Sequence, residues 1–134
     1  MTDVTIANLM MSETAKRMGI DNSLPAGREA KCVCAMELVV SVLNRIQRHF
    51  NSSVVVTSGY RCEALNKAVG GVPNSQHMLG EAADFFVHAV PLLAVFEYIL
   101  DNVEFDQAIL YRHKRIIHLS VRPSGCVRKT AIVK

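Results

Sequence analysis

The sequence predicts an α+β fold, a small antiparallel sheet packed against a long N-terminal helix and shorter helices. Three observations carry that prediction. Cys32, Met36, Val39, Val40, Leu43 and Ile46 recur at helical spacing in a stretch running from Ser23 to about His49. Ser53-Val54-Val55-Val56-Thr57 is a β-branched run of strand length. Two apolar runs, 105–111 and 116–121, flank the charged turn Arg112-His113-Lys114-Arg115, which is the pattern of a β-hairpin. At 134 residues, half of them hydrophobic, the chain reads as one domain (1–134) with enough apolar material for a core.

Taken in order, residues 5–18 read as a short amphipathic helix with Ile6, Leu9, Met10 and Met18 on its apolar side. Gly19-Ile20-Asp21-Asn22 reads as a stop and a turn. Ser23 is placed to cap the long helix, Pro25 suits its first turn, and Gly27 is tolerated there. His49, at the far end, is read as a C-terminal cap. After the β-branched strand, Ser58-Gly59 turns the chain and presents Tyr60 and Arg61. Residues 62–69 make one or two helical turns, and Gly70-Gly71-Val72-Pro73-Asn74 is a loop. Ala82–Val87 is a strand, and Pro91–Leu100 a helix turning Leu92, Val95, Phe96 and Ile99 inward, with His88 in the connection. Alternation in the hairpin sends Ile117, Leu119 and Val121 to the core and Ile116, His118 and Ser120 to the opposite face. A short strand at 128–133 closes an edge of the sheet.

Charge and cysteine usage exclude several classes. The net charge is only +3, yet residues 112–134 hold seven Lys or Arg and no acid. Such a tail can bind nucleic acid or another anionic polymer. With few aromatics, no Trp and no binding motif, these residues read instead as solvated strand and turn positions, with no nucleic-acid partner. No apolar run approaches the ~18 residues of a membrane span, so no membrane insertion is expected. Met1-Thr2-Asp3-Val4 carries an acid where an export signal carries basic residues, and the chain is expected to be cytoplasmic as made. Cys32, Cys34, Cys62 and Cys126 read as reduced thiols serving as small buried hydrophobes. Cys32-x-Cys34 lacks the matching pair that a zinc site requires.

The chemistry concentrates in residues 75–84, Ser-Gln-His-Met-Leu-Gly-Glu-Ala-Ala-Asp. His77 and Asp84 are seven apart, with Gly80 between them and Ala82-Ala83 just before the acid. Imidazole and carboxylate are both good zinc ligands. A glycine turn and close-packed alanines let a loop-to-strand corner aim both at one point. His118, on the non-core face of its strand, is the natural third ligand. Three protein ligands with one open position is the arrangement of a catalytic zinc. The bare His-x6-Asp spacing is weak by itself.

The extended form Ser75-x-His77-x-x-Gly80-x-Ala82-x-Asp84 resembles the zinc motif of the M15 peptidases, the D-alanyl-D-alanine carboxypeptidase and endolysin group that shares a fold with the hedgehog signalling domain. Thr57-Ser58-Gly59-Tyr60-Arg61, Leu65-Asn66-Lys67-Ala68-Val69-Gly70-Gly71, Phe105-Asp106-Gln107 and Ile117-His118-Leu119-Ser120 look like that family in its order. With Ser12-Glu13-Thr14-Ala15 and Gly19-Ile20-Asp21-Asn22, the resemblance spans nearly the whole chain. It implies a Zn2+ enzyme that hydrolyses an amide bond in peptidoglycan stem peptides, as carboxypeptidase or endopeptidase, with His77, Asp84 and His118 on the metal. The expected partner is the stem peptide and the expected state a monomer; a phage or prophage enzyme released to the wall by a separate lysis protein fits. Arg61 matches the family arginine that stabilises the carbonyl oxygen or binds the substrate carboxylate. Ser75 and Gln107 match positions that shape the pocket, holding substrate or orienting a ligand.

The general base departs from the family. Many members place a Glu three residues before the final histidine, where this chain has Arg115; nearer members carry it where this chain has Tyr111. A tyrosine of pKa ~10 is a poor base at neutral pH but a good hydrogen-bond donor to an oxyanion. His113 has a suitable unperturbed pKa in a turn that ordinarily faces solvent. Asp106 reads as structural, and Glu81 and Glu104 are near only in sequence. Two readings follow: an active zinc peptidase, with the complete ligand set, Arg61, Ser75 and Gln107 in its favour, or a zinc-containing wall-peptide binding module that has lost its base.

Overall fold

The computed structural model describes residues 1–123 and 128–134. Its longest element, α3 (Glu29–Phe50), buries Cys32, Met36, Val39, Leu43 and Ile46 on one stripe, as the apolar spacing requires. The helix begins later than expected. Gly27 has φ +80°, which no α-helix contains, so Pro25 to Arg28 forms a turn closed by Arg28 N–H to the Pro25 carbonyl at 3.1 Å. Ser23 therefore caps nothing; its carbonyl accepts from the Tyr60 hydroxyl at 3.1 Å. At the other end Asn51, at φ +48°, terminates α3. His49 is not a cap: its ring stacks on Tyr98 at 4.1 Å between centroids.

The stretch 5–18 folds as two helices, α1 (Ile6–Met10) and α2 (Glu13–Met18), rather than one. Each has its own cap. Thr5 accepts from Asn8 N–H and Ser12 accepts from Ala15 N–H, so Ser12 acts as a start signal inside the predicted helix. The break turns Leu9 fully inward and leaves Met18 54 % exposed, so Met18 does not share the apolar side.

Five strands form one sheet in the order β1-β2-β4-β3-β5: β1 (Val54–Ser58), β2 (Ala82–Val87), β3 (Gln107–Tyr111), β4 (Ile116–Ser120) and β5 (Thr130–Val133). The first four pair antiparallel, as expected. The closing edge strand runs parallel to β3. The reason is geometric: Ser120, where the chain leaves β4, and Thr130, where it re-enters, both lie opposite Gln107. From that end β5 can only follow β3 in its own direction. Two shorter helices, α4 (Glu63–Ala68) and α5 (Leu92–Asn102), complete the fold. Val95, Phe96 and Ile99 of α5 are buried as expected, and Leu92 is half-buried against the core.

Register then divides the sheet into two surfaces. Ala83, Phe85, Ala108, Leu110, Ile117 and Leu119 are buried with the apolar stripes of α3 and α5 in a single core. Asp84 pairs across strands with His118, which pairs with Ile109, so these three share the opposite surface. Asp106, fully buried beside that sheet, binds the returning segment: it accepts from the backbone N–H and the guanidinium of Arg128 at 2.8 and 2.7 Å. Of the cysteines, Cys32 is buried as expected and Cys34 is exposed. Cys62 is half-buried and its sulfur caps α4, while Cys126 lies outside the described residues. Among the described residues no helix is long and apolar enough to cross a membrane.

Candidate metal centre

Three elements deliver the candidate ligands. Ser75 accepts from His77 N–H at 3.2 Å and so starts the single 3-10 turn, Gln76–Leu79, that carries His77. Gly80 ends this turn at φ +75°, and a Cβ there would lie 2.7 Å from the Cys32 carbonyl oxygen. The glycine thus lets the His77 turn rest against the backbone of α3. Asp84 sits in β2 directly opposite His118 of β4.

His77 is buried, and its Nδ1 lies 2.7 Å from the Gly59 carbonyl oxygen. A carbonyl only accepts, so Nδ1 carries a proton and Nε2 is the nitrogen that faces the cluster. That Nε2 is 3.3 Å from Asp84 Oδ1, and His118 Nδ1 is 2.8 Å from the same oxygen. One ligand atom from each of the three residues falls within 4.8 Å of the others. Two imidazole nitrogens and a carboxylate oxygen on one point suit a zinc-like ion, and a fixed second nitrogen on His77 is the usual outer support of a metal ligand. Burial by itself raises the Asp84 carboxyl; hydrogen bonds from His118 and His77 outweigh it and hold the group well below the ordinary carboxylate range. The candidate ligand oxygen is therefore charged at neutral pH.

Arg61 borders this cluster, with Nη2 3.9 Å from Asp84 Oδ2. Its backbone N–H donates to the His77 carbonyl at 3.1 Å, so the loop bearing Arg61 and the turn bearing His77 are tied together. Burial pulls the Arg61 guanidinium pKa down, and the Asp84 charge opposes that. Asn22, named in sequence only as part of a turn, donates to the Met10 and Tyr60 carbonyls and accepts from Cys62 N–H, clamping both sides of Arg61 to the N-terminal helices.

A groove of about 1310 Å3 runs over the cluster, and Arg61, Ser75, Gln107 and Tyr111 line it together with His77, Asp84 and His118. The expected residues thus converge, except one. His113 is exposed in the hairpin turn and does not line the groove. The Ser75 hydroxyl is occupied in supporting His77, and the Gln107 side chain stands half-buried on the groove face of the sheet. The Tyr111 phenol pKa is pushed up by burial and then by the Asp84 charge, so at neutral pH it is a hydrogen-bonding hydroxyl and not a base. Glu81 is bound to the Gln76 amide at 3.0 Å, Glu104 is exposed, and Asp106 is spent on Arg128. Besides Asp84, the carboxylates among the described groove residues are Asp3 and Glu13, both exposed.

Sequence reasoning missed three supports: the Gly59 carbonyl that orients His77, the Ser58 hydroxyl, and Asn66, both of which bind the Arg61 side chain. Ser58 and Asn66 stand inside stretches read for their family pattern, without a role; the Gly59 carbonyl has no side-chain signature at all. No curated protein matches the chain. The family model described as Peptidase M15 matches residues 2–120, a span that includes the three candidate ligands, Arg61 and every support named above, and the chain belongs to the peptidase M15 family.

Proposed function

We propose that this protein is a zinc-dependent peptidoglycan peptidase hydrolysing an amide bond of bacterial cell-wall stem peptides. The observation that carries the proposal is the convergence of His77, Asp84 and His118 beside Arg61 in one open groove, within a chain of the peptidase M15 family. Zinc, when bound, would polarise the scissile carbonyl and lower the pKa of a bound water. The residues of the chain supply the rest. His77 is pre-oriented through its Nδ1–H, so its binding nitrogen needs no reorganisation. Arg61 directs a cationic N–H toward the place where negative charge develops on the carbonyl oxygen. Tyr111 offers a second neutral donor from the hairpin side. The groove, about 1310 Å3, has room for a peptide, which suits a stem peptide bound as a monomeric enzyme's substrate.

A second reading, a zinc-containing binding module for the same wall peptides, is favoured by the protonated Tyr111 phenol and by a groove whose only other described carboxylates, Asp3 and Glu13, are exposed. Incubating the zinc-loaded protein with purified peptidoglycan and reading products by mass spectrometry separates the two. Stem-peptide fragments that disappear in His118→Ala support the peptidase, and their masses identify the bond. One equivalent of zinc with no turnover on any wall type supports the module. A protein that binds no metal refutes both.

A further inference from the structure

Outside the candidate metal ligands, the Arg61 side chain is held in the groove by two neighbours, one of them a buried amide. Asn66 is 3 % exposed, and both ends of its side chain are used. Its Oδ1 accepts from Arg61 Nη1 at 2.9 Å, and its Nδ2 donates to the Val72 carbonyl at 2.9 Å. The second bond fixes which way the amide faces, so an acceptor is always presented to Arg61. Arg61 Nε in turn donates to the Ser58 hydroxyl at 3.2 Å. Two of the three guanidinium nitrogens are thus held from outside the site, and Nη2 is the one directed at it, 3.9 Å from Asp84 Oδ2.

Gly71 makes this arrangement possible. A Cβ at that position would stand 2.1 Å from Asn66 Oδ1 and 2.6 Å from Arg61 Nη1. Its backbone is not in the left-handed region, so the glycine is needed for space rather than for conformation. Both atoms it would strike are ends of side chains, so a methyl there displaces the Asn66–Arg61 pair while leaving the backbone in place.

We infer that Asn66, given room by Gly71, is a positioning residue that holds the Arg61 guanidinium by Nη1 and so aims Nη2 at the metal site. A guanidinium whose Nε is bound to Ser58 has lost its Nε/Nη2 edge for gripping a substrate carboxylate. The Nη2 N–H groups, aimed at the site, suit the carbonyl oxygen that gains charge during amide hydrolysis, and this assignment of role rests on the peptidase reading above.

The test combines 15N NMR of the Arg61 guanidinium with kinetics of the zinc-loaded protein. The wild type is expected to give separate, slowly exchanging Nη resonances for Arg61 at low temperature. N66A and G71A are expected to merge them while the backbone amide spectrum and one equivalent of zinc are retained. On purified stem peptide, kcat is expected to fall about 10- to 100-fold in both variants, with KM within about 3-fold. N66D keeps an acceptor for Nη1 while losing the bond to Val72, and should recover most of the loss. N66A added to R61A should cost nothing more. Separate Nη resonances surviving in both N66A and G71A would overturn the inference, as would a loss confined to KM or a further loss in the R61A background. A wild type that cleaves no wall peptide removes the peptidase reading alone; merged resonances in N66A and G71A would still establish the positioning.

Discussion

Asp84 and Asp106 are both held below the ordinary carboxylate range, and by opposite kinds of partner. Asp106 is fully buried and closed: hydrogen bonds from Arg128, its ion pairs with Arg128 and Arg122, and the Arg128 backbone N–H leave it nothing to offer. Those bonds bring its carboxyl to about 2. Asp84 is met by two imidazole nitrogens on one oxygen, while the nearest fixed charge, Arg61, stands at 3.9 Å from the other. A metal ion can replace the hydrogen bonds between Asp84 and the histidines by binding all three. Nothing comparable can displace a guanidinium already paired through Nε and Nη2. The partner, rather than the depth of burial or the size of the pKa shift, separates a candidate ligand from a structural strut.

The largest test of this contrast is activity. His118→Ala should lower hydrolysis of wall peptide by about three orders of magnitude or more, the several kcal/mol that a metal contributes, with zinc content falling in parallel and the fold retained. Asp106→Asn should do the reverse, keeping one equivalent of zinc while costing about 2–3 kcal/mol of stability in urea unfolding. That is less than the 3–5 kcal/mol of a fully buried pair because Arg128 is half-exposed.

The pH dependence of stability sharpens the same point. The folded Asp106 carboxyl lies near 2, below the unfolded value of ~3.9, so its contribution is full above about pH 4 and is lost as pH falls toward 2. Discounted for the half-exposed Arg128, the loss is about 1–2 kcal/mol, and Asp106→Asn should flatten it. A stability profile of the Asn variant that still falls through this window with the same amplitude would assign the effect elsewhere. The smallest effect concerns Tyr111: as an auxiliary donor, its replacement by Phe should cost about 5-fold in kcat, one hydrogen bond, with zinc content unchanged. Tyr111→Glu asks the converse question, and a rise in turnover would identify the missing carboxylate as what limits the wild type.

Much of the candidate site was legible because its chemistry lies in side chains, set in an extended motif that resembles a known family. Alternation alone put His118 on the face opposite Ile117 and Leu119, and that is the face Asp84 shares. The supports were not legible to the same degree. Gly59 holds His77 through a carbonyl that every residue possesses, and Asn66 reaches Arg61 only because Gly71 leaves space. The fold divides similarly: β2 and the hairpin follow their apolar patterns, whereas the Ser12 cap splits a helix that periodicity alone joins.

From its residues alone this protein reads as an α+β chain with His77, Asp84 and His118 as a candidate ligand set, the first from hydrophobic period and the second from ligand chemistry together with the family resemblance. Tertiary structure decided that β5 runs parallel to β3, that His77 presents Nε2, that Arg61 directs Nη2 inward, and that His113 stays outside the groove. The first two depend on atoms contributed by segments distant in the chain, the Gly59 carbonyl lying 18 residues from His77, and no local pattern records where such an atom arrives.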